Sequence, residues 1–207
     1  MAVIIRAMDK GEDEGRAGQD DELVARARTG DAAAVEELFD RYRHQVFSLA
    51  YRMTGNPADA EDLTQDVFVQ VMRKIGSFQG RSSFSTWLYR VTMNRSRDFL
   101  RRKKRSPEML STDGEPGDYL MEDRVGTVQR APEDNAIASE AQRLVQEALQ
   151  QLPVSLRAPL VLHELEGFEY HEIARMLVLP VGTVKSRIFR ARLKLGEILE
   201  PHKEQWS

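Results

Sequence analysis

The sequence predicts an all-α protein of two small helical domains joined by a flexible acidic linker, the C-terminal one containing a helix-turn-helix. Three observations lead to this fold class. Apolar residues recur at steps of three and four along most of the chain, glycine and proline break these stripes, and one internal stretch has no stripe. A length of 207 residues, 41% of them hydrophobic and 30% charged, allows one or two compact domains.

Residues 1–20 are predicted to be a disordered acidic tail, because they are rich in acidic residues and contain glycine. The N-terminus has no apolar segment of signal-peptide length, and no apolar run approaches the length of a membrane span. We therefore expect a cytoplasmic protein with no membrane span of its own. The chain has no cysteine, which excludes disulfides and thiolate zinc sites.

The first helical domain is predicted over residues 21–105. Gly30 and the Gly55-Asn56-Pro57 triplet separate its apolar stripes. In the helix after the triplet, apolar residues follow one face and acidic or amide residues follow the rest. The outward residues include Asp59, Asp62, Gln65 and Asp66.

A strongly basic segment completes this domain after a short polar break. Residues 81–105 contain nine basic side chains and only one acidic one, interleaved with Phe84, Trp87, Leu88 and Val91. Bases released from a duplex stack on aromatic rings while cations hold their backbone, so the pattern favours an opened DNA strand. The other interpretation is that these apolar residues form core, which helical spacing favours for most of them, including Trp87.

Residues 106–136 are predicted to be a flexible acidic linker. From residue 106 to residue 140, nine acidic residues stand against two basic ones, with proline and glycine scattered among them. Periodic apolar residues are too few to offset the entropy of ordering this stretch.

The second domain, residues 137–207, contains two helices separated by Pro180. Ile173, Ala174 and Leu177 mark one face of the first, and Thr183 is a plausible cap of the second. The inward stripe of the second helix is Val184, Ile188, Ala191 and Leu195. Between residues 175 and 195 the chain has six basic residues and no acidic one, which suits a helix laid along phosphates. A solvated basic face is the alternative, but the preceding short helix and proline turn favour a helix-turn-helix that enters the major groove.

Three motifs in this order make the chain resemble the bacterial extracytoplasmic-function sigma factors, which consist of two helical domains called region 2 and region 4. They are Asp-Ala-Glu-Asp at 59–62, Phe-x-Gly with Phe-x-Thr-Trp-Leu at 78–88, and Pro-Val-Gly-Thr-Val-Lys-Ser-Arg at 180–187. The resemblance covers most of residues 21–199. It implies a subunit that joins core RNA polymerase and directs it to promoter DNA, and that is not itself an enzyme.

The resemblance also implies roles for particular residues. The surface that docks on the clamp helices of the largest polymerase subunit corresponds to Asp59, Asp62, Gln65, Asp66 and Phe68. The surface that captures the −10 element, including a base turned out of the stack, corresponds to Phe78, Gln79, Gly80, Arg81, Ser82, Trp87, Asn94, Arg95 and Arg101. The reader of the −35 element corresponds to Pro180, Thr183, Lys185, Ser186, Arg187, Phe189 and Arg190.

Val178 departs from the family pattern, because it occupies a turn position where Gly or Asp is common. A β-branched residue fits a left-handed backbone poorly. We therefore expect that the turn avoids positive φ or that the first helix runs further.

Other chemistries have little support in the sequence. The four histidines lack metal-ligand spacing, and no nucleophile arrangement or phosphate loop is present, so we expect no metal, no cofactor and no catalytic site. The alternative functions are a helix-turn-helix activator or repressor that acts without joining the polymerase, and a pure protein adaptor. A helix-turn-helix regulator would not explain the basic, aromatic segment of the first domain or the acidic helix before it. A protein adaptor would have no need of the basic surface in either domain.

Regulation is implied by the resemblance alone. It suggests an anti-sigma factor that covers the binding faces, and a free chain whose two domains close on one another. A further hypothesis is that the acidic tail and linker screen the basic segments.

Overall fold

The computed structural model describes residues 13–105 and 132–202, and within them it confirms the predicted all-α class. The first domain contains α1 (Asp13–Arg28), α2 (Ala32–Thr54), α3 (Pro57–Lys74), a short 3₁₀ turn (Ile75–Ser77) and α4 (Phe84–Arg105). The second contains α5 (Pro132–Gln151), α6 (Val154–Leu160) with a π-helical turn (Val161–Leu165), α7 (Tyr170–Leu177) and α8 (Val181–Leu199).

Local sequence sets the ends of the central helices. Asp31 begins α2 by accepting hydrogen bonds from the backbone N–H groups of Ala33 and Ala34, at 3.0 and 3.2 Å. Gly55 ends it in a left-handed conformation with φ of 73°. Asn56 then caps α3, and Pro57 occupies its first turn, where a missing N–H costs nothing. The Gly55-Asn56-Pro57 triplet is therefore a complete stop and start signal.

The expected disorder of residues 1–20 is wrong for its last part, because α1 begins at Asp13. Asp20 is 6% exposed and accepts hydrogen bonds from the Tyr42 hydroxyl and, at 2.7 Å, from the Arg41 guanidinium. Acidic composition therefore did not indicate disorder here, since this acid has partners on α2. Residues 1–12 lie outside the described residues.

The predicted linker ends earlier than expected, because residues 132–136 belong to α5. Residues 106–131 lie outside the described part of the chain, so the expected flexibility there remains a prediction. No helix in the described residues is both long and apolar enough to cross a membrane.

The two domains pack against each other across the end of α2. Leu49, Met53 and Met93 of the first domain share a buried cluster with Leu149, Ile173 and other residues of the second. Side chains of the second domain also donate to the last carbonyls of α2: Gln146 Nε2 to Tyr51 at 2.8 Å, Gln150 Nε2 to Arg52 at 3.1 Å, and Arg157 Nη1 to Met53. The Tyr51 carbonyl also accepts from the backbone N–H of Gly55, at 2.8 Å. The second domain therefore supplies donors to carbonyls in the last turn of α2, where intrahelical donors run out.

Gly55 is required at this contact for a second reason. A Cβ at this position would lie 2.5 Å from the side chain of Gln150. The absence of a side chain therefore permits both the left-handed backbone and the close approach of α5.

Candidate nucleic-acid interface

Helices α7 and α8 form the helix-turn-helix predicted from the sequence. Glu169 and Glu172 make a capping box at the start of α7, with the Glu169 N–H donating to Glu172 Oε2 at 2.9 Å. Val184, Ile188 and Ala191 are buried along α8, as their spacing predicted. This stripe fixes α8 against the core and leaves the opposite face to solvent.

The turn between the helices corrects the expectation for Val178. This residue adopts the left-handed conformation, with φ of 54° and ψ of 56°, and ends α7 where glycine is common. The backbone N–H of Leu179 donates to the carbonyl of Ala174 at 2.9 Å. The turn therefore keeps its left-handed geometry, at the steric cost of placing a β-branched side chain there. Because Val178 is 87% exposed, no packing contact of its side chain explains why valine occupies this position.

The predicted capping role of Thr183 is wrong. Helix α8 begins at Val181 with Pro180 in the capping position, and no side chain caps it. The N–H of Thr183 instead donates to the carbonyl of Pro180 at 2.9 Å, inside the first turn. Proline sets the start of the helix through its fixed φ rather than through a capping oxygen.

Most predicted −35 residues lie on the free face of α8. Lys185, Ser186, Phe189 and Arg190 are exposed, and Arg187 is half-buried. Phe189 is 62% exposed, which is unusual for so large an apolar side chain. Within the described residues, Arg187 and Arg190 have no carboxylate partner, so their charges are available for phosphates or base edges.

Two other cations of α8 are already engaged. The Lys185 ammonium lies 5.7 Å from the centre of the Tyr170 ring. Arg192 donates to Glu164 through Nε at 2.7 Å and also through Nη2, and this hydrogen bond raises the pKa of the Arg192 guanidinium. Positive charge along α8 is thus divided between free and engaged groups.

The predicted −10 loop projects from the first domain between the 3₁₀ turn and α4. Gln79, Gly80, Arg81 and Ser82 are exposed, and Gly80 has φ of 66°. Asn94 is exposed on α4. These residues present polar backbone and side-chain groups that a DNA strand could contact.

The two aromatic residues assigned to −10 contact are core residues instead. Phe78 and Trp87 are each 8% exposed, and their ring centroids lie 5.4 Å apart. Phe84 packs on both, at 6.1 Å from Phe78 and 5.7 Å from Trp87. Burial in this conformation favours the core interpretation of Trp87 over stacking on a base, and it leaves little of the Phe78 ring exposed to line a −10 pocket.

The acidic face of α3 is exposed at Asp62, Gln65 and Asp66, whereas Asp59 is half-buried. Phe68, assigned with them to polymerase contact, is 6% exposed, and its ring centroid lies 4.6 Å from that of Phe39. It is a core residue, so that assignment is wrong in this conformation.

Two apolar residues on the acidic face were missed by sequence reasoning. Val69 is 43% exposed and Met72 is 61% exposed. They follow Asp62 and Gln65 at seven-residue intervals, which places them on the same side of α3. That spacing was a readable signal, and it adds two exposed apolar side chains to the C-terminal end of the acidic face, a combination suited to binding protein.

Ion pairs connect the acidic helix to the basic helix. Arg95 Nη2 lies 2.6 Å from Asp66 Oδ2, and Lys103 Nζ lies 2.7 Å from Asp59 Oδ2. Arg101 pairs within α4 with Asp98 at 3.0 Å. Two residues assigned to polymerase contact therefore neutralise two cations of the basic segment.

Ser82 of the predicted −10 loop and the start of α4 also meet the helix-turn-helix across the contact between domains. Ser82, Trp87 and Arg90 line one side of a shallow cleft, and Glu172 and Arg175 line the other. Within the described residues, no group of His, Asp and Glu is arranged to hold a metal ion.

Comparison with protein-family models gives two matches. The model described as Sigma-70 region 2 matches residues 38–106, and the model described as Sigma-70, region 4, matches residues 142–195. The first match contains most of α2, α3 and α4, and the second contains the helix-turn-helix.

Full-length relatives are also similar to this chain. An RNA polymerase sigma-H factor of Pseudomonas aeruginosa is 36% identical, with 88% of this chain and 95% of the relative covered. An ECF RNA polymerase sigma-E factor of Haemophilus influenzae is 38% identical, covering 88% and 96%. The sigma-E factor of Escherichia coli is 35% identical, covering 88% and 95%.

Two solved structures have a similar fold. CnrH, solved in complex with the cytosolic domain of CnrY, matches with a TM-score of 0.60 and 27% identity, covering 88% of this chain and 97% of that one. The sigma factor RpoE of Bartonella quintana, solved with the anti-sigma factor NepR, matches with a TM-score of 0.57 and 24% identity, covering 80% and 96%.

Proposed function

The chain belongs to the extracytoplasmic-function sigma factors of the sigma-70 family, and from this premise we propose that it joins core RNA polymerase and directs it to promoters with −10 and −35 elements. The similarity over nearly the full length of relatives named as RNA polymerase sigma factors carries this proposal. The chain acts by binding, with no catalytic step of its own. It works in the cytoplasm, beside the polymerase and DNA it serves.

Helix α8 reads the −35 element in the major groove. Its exposed residues Ser186, Phe189 and Arg190 lie opposite the buried stripe, which is the orientation a recognition helix needs. Arg187 and Arg190 contact guanine edges or phosphates, and Phe189 offers an apolar contact. Pro180, Thr183 and Lys185 complete this surface.

The loop over residues 79–82 and the exposed side of α4 hold the opened −10 strand. Exposed Gln79, Arg81 and Asn94 offer hydrogen bonds to a displaced base and its backbone. The buried Phe78 and Trp87 support the loop from beneath. The cations Arg95 and Arg101 lie further along the same helix.

Helix α3 docks on the clamp helices of the largest polymerase subunit. Asp62, Gln65 and Asp66 supply charge complementarity, and the exposed Val69 and Met72 supply apolar area. An acidic, partly apolar face of this kind fits a cationic helical partner.

Promoter binding requires the two domains to separate. The −35 and −10 elements are named for their positions on the promoter, so their centres lie about 25 base pairs apart. This separation is roughly 85 Å of B-form DNA at 3.4 Å per base pair. A closed chain of this length has a radius of gyration of about 17 Å. The 26 residues between α4 and α5 reach at most about 90 Å when extended, enough to join separated domains.

A protein partner of the anti-sigma type holds the chain inactive. CnrH, which shares the fold, was solved with a partner domain bound. Such a partner acts by covering α3 or α8, two faces that carry exposed apolar side chains here.

In vitro initiation tests this function. The purified chain with core polymerase and genomic promoter fragments is expected to produce transcripts from defined start sites. Charge reversal of Asp62 should abolish them. Specific duplex binding without any transcription would instead favour a helix-turn-helix regulator that never joins the polymerase.

A further inference from the structure

Two ion pairs join the acidic face of α3 to the basic helix α4. The pairs Asp66–Arg95 and Asp59–Lys103, at 2.6 and 2.7 Å, lie about two helical turns apart along each helix. All four side chains keep solvent access, from 20% for Asp59 to 55% for Asp66. They are therefore accessible to competing partners.

We propose that, in the free chain, Asp66 holds Arg95 and Asp59 holds Lys103 in ion pairs. When α3 docks on a cationic polymerase surface, the two carboxylates pair with that surface instead, and both cations become available to promoter phosphates. This inference rests on the proposed function. It assigns the two carboxylates a second partner within the chain, besides the polymerase.

The pairing is selective among the acids of α3. Asp62 and Glu61 are exposed on the same helix, and neither forms an ion pair within the described residues. Among the cations of α4, Arg97 and Lys104 are exposed and likewise have no carboxylate partner there. The pairs thus form only on the flank where the two helices face each other.

A carboxylate paired with Arg95 lowers the attraction of that guanidinium for a phosphate. Binding of a phosphate by an already paired cation releases fewer counterions than binding by a free one. Conversely, a carboxylate that is engaged by Arg95 or Lys103 is less available to a cation of the polymerase. The two ligands therefore favour each other's binding, because each frees the group that the other needs.

The first test measures DNA binding by the full chain without polymerase. A labelled single-stranded oligonucleotide of mixed sequence is titrated over a series of salt concentrations. Asp59→Asn with Asp66→Asn should bind it more tightly than the natural chain, by up to about five-fold for each released cation. The slope of log affinity against log salt should steepen by about 0.7 for each.

The matched control is Glu61→Gln with Asp62→Asn, which removes the same charge from the same helix without breaking a pair. Its salt slope should equal that of the natural chain. If the Asp59 and Asp66 variant binds no more tightly than this control, the proposal is overturned. Weaker binding would also overturn it, and would show that the carboxylates position the cations.

The second test measures binding of core polymerase without DNA. Arg95→Gln with Lys103→Gln should bind core more tightly than the natural chain, and more tightly than the matched pair Arg97→Gln with Lys104→Gln. Equal affinities would contradict the exchange. If the natural chain does not bind core at all, the proposed function is wrong, whereas the DNA measurement still decides whether the pairs restrain the cations.

Discussion

The guanidinium of Arg157 donates a hydrogen bond to the carbonyl oxygen of Met53, and so joins the second domain to the last turn of α2. Arg157 is only 5% exposed and also donates to the carbonyls of Gln150, at 2.8 Å, and Leu152, at 3.0 Å. Burial lowers its pKa to about 10, so it remains charged at neutral pH. A buried cation at this contact makes domain closure depend on specific acceptors rather than on apolar burial alone.

Gln146→Ala is expected to shift the chain toward the open form. This change removes the hydrogen bond to the Tyr51 carbonyl, whose loss is worth about 1 kcal/mol, or about five-fold in the closing equilibrium. Because the chain has no cysteine, dye labels at Arg43→Cys and Glu197→Cys report the distance between domains. Energy transfer should fall in the variant.

Gln151→Ala is the control for this measurement, because Gln151 is an exposed glutamine at the end of the same helix. It should leave energy transfer unchanged. Equal transfer in the natural chain and the Gln146 variant would mean that this hydrogen bond does not hold the domains closed.

Val178→Gly is expected to stabilise the second domain. The valine has a left-handed backbone and is 87% exposed, so glycine relieves strain without loss of packing. The gain should be up to about 1 kcal/mol after the entropy cost of glycine, measured by chemical denaturation. Val178→Ala keeps a Cβ and should gain less, and a destabilised glycine variant would contradict the assigned strain.

Trp87→Ala is expected to unfold or severely destabilise the first domain. The ring is buried against Phe78 and Phe84, and such truncations cost about 3 to 5 kcal/mol. Arg81→Ala, at an exposed loop position, should leave thermal stability unchanged while weakening binding of a −10 strand. A stable Trp87→Ala protein that specifically loses strand binding would restore the stacking role for this ring.

Arg190→Ala is expected to weaken binding to a −35 duplex. Its guanidinium has no carboxylate partner in the described residues, and loss of a base or phosphate contact costs about 1 to 3 kcal/mol. Arg192→Ala is the control two residues away, because its guanidinium is held by Glu164. The measurement is the affinity of the polymerase-bound chain for a −35 duplex. If Arg190→Ala and Arg192→Ala lower this affinity by similar amounts, α8 contributes only general positive charge.

Sequence periodicity was sufficient for the helices and for most of the core. The stripe through Val184, Ile188 and Ala191 and the breaks at Gly55 and Pro180 were readable because helix formation and termination are local properties. Motif order was sufficient for the family. These features depend on residues a few positions apart, whose relationship the linear chain preserves.

Partners far apart in the chain were decided by the tertiary structure alone. Composition indicated a disordered segment around Asp20, but packing gave it Tyr42 and Arg41 as partners. Sequence spacing allowed Trp87 to be either a core residue or a ring that stacks on DNA bases. Its contact with Phe78 in the folded chain shows that it is a core residue in this conformation.

The sequence shows which side chains are charged, but only the tertiary structure shows which of these charges are paired within the chain. The sequence by itself determined that α3 is acidic and that α4 and α8 are basic. Only the folded chain determined that Asp66 faces Arg95 while Arg190 remains unpaired within the described residues. The physical reason is that an ion pair requires two side chains within a few ångströms, and helix packing, rather than helix content, sets that distance.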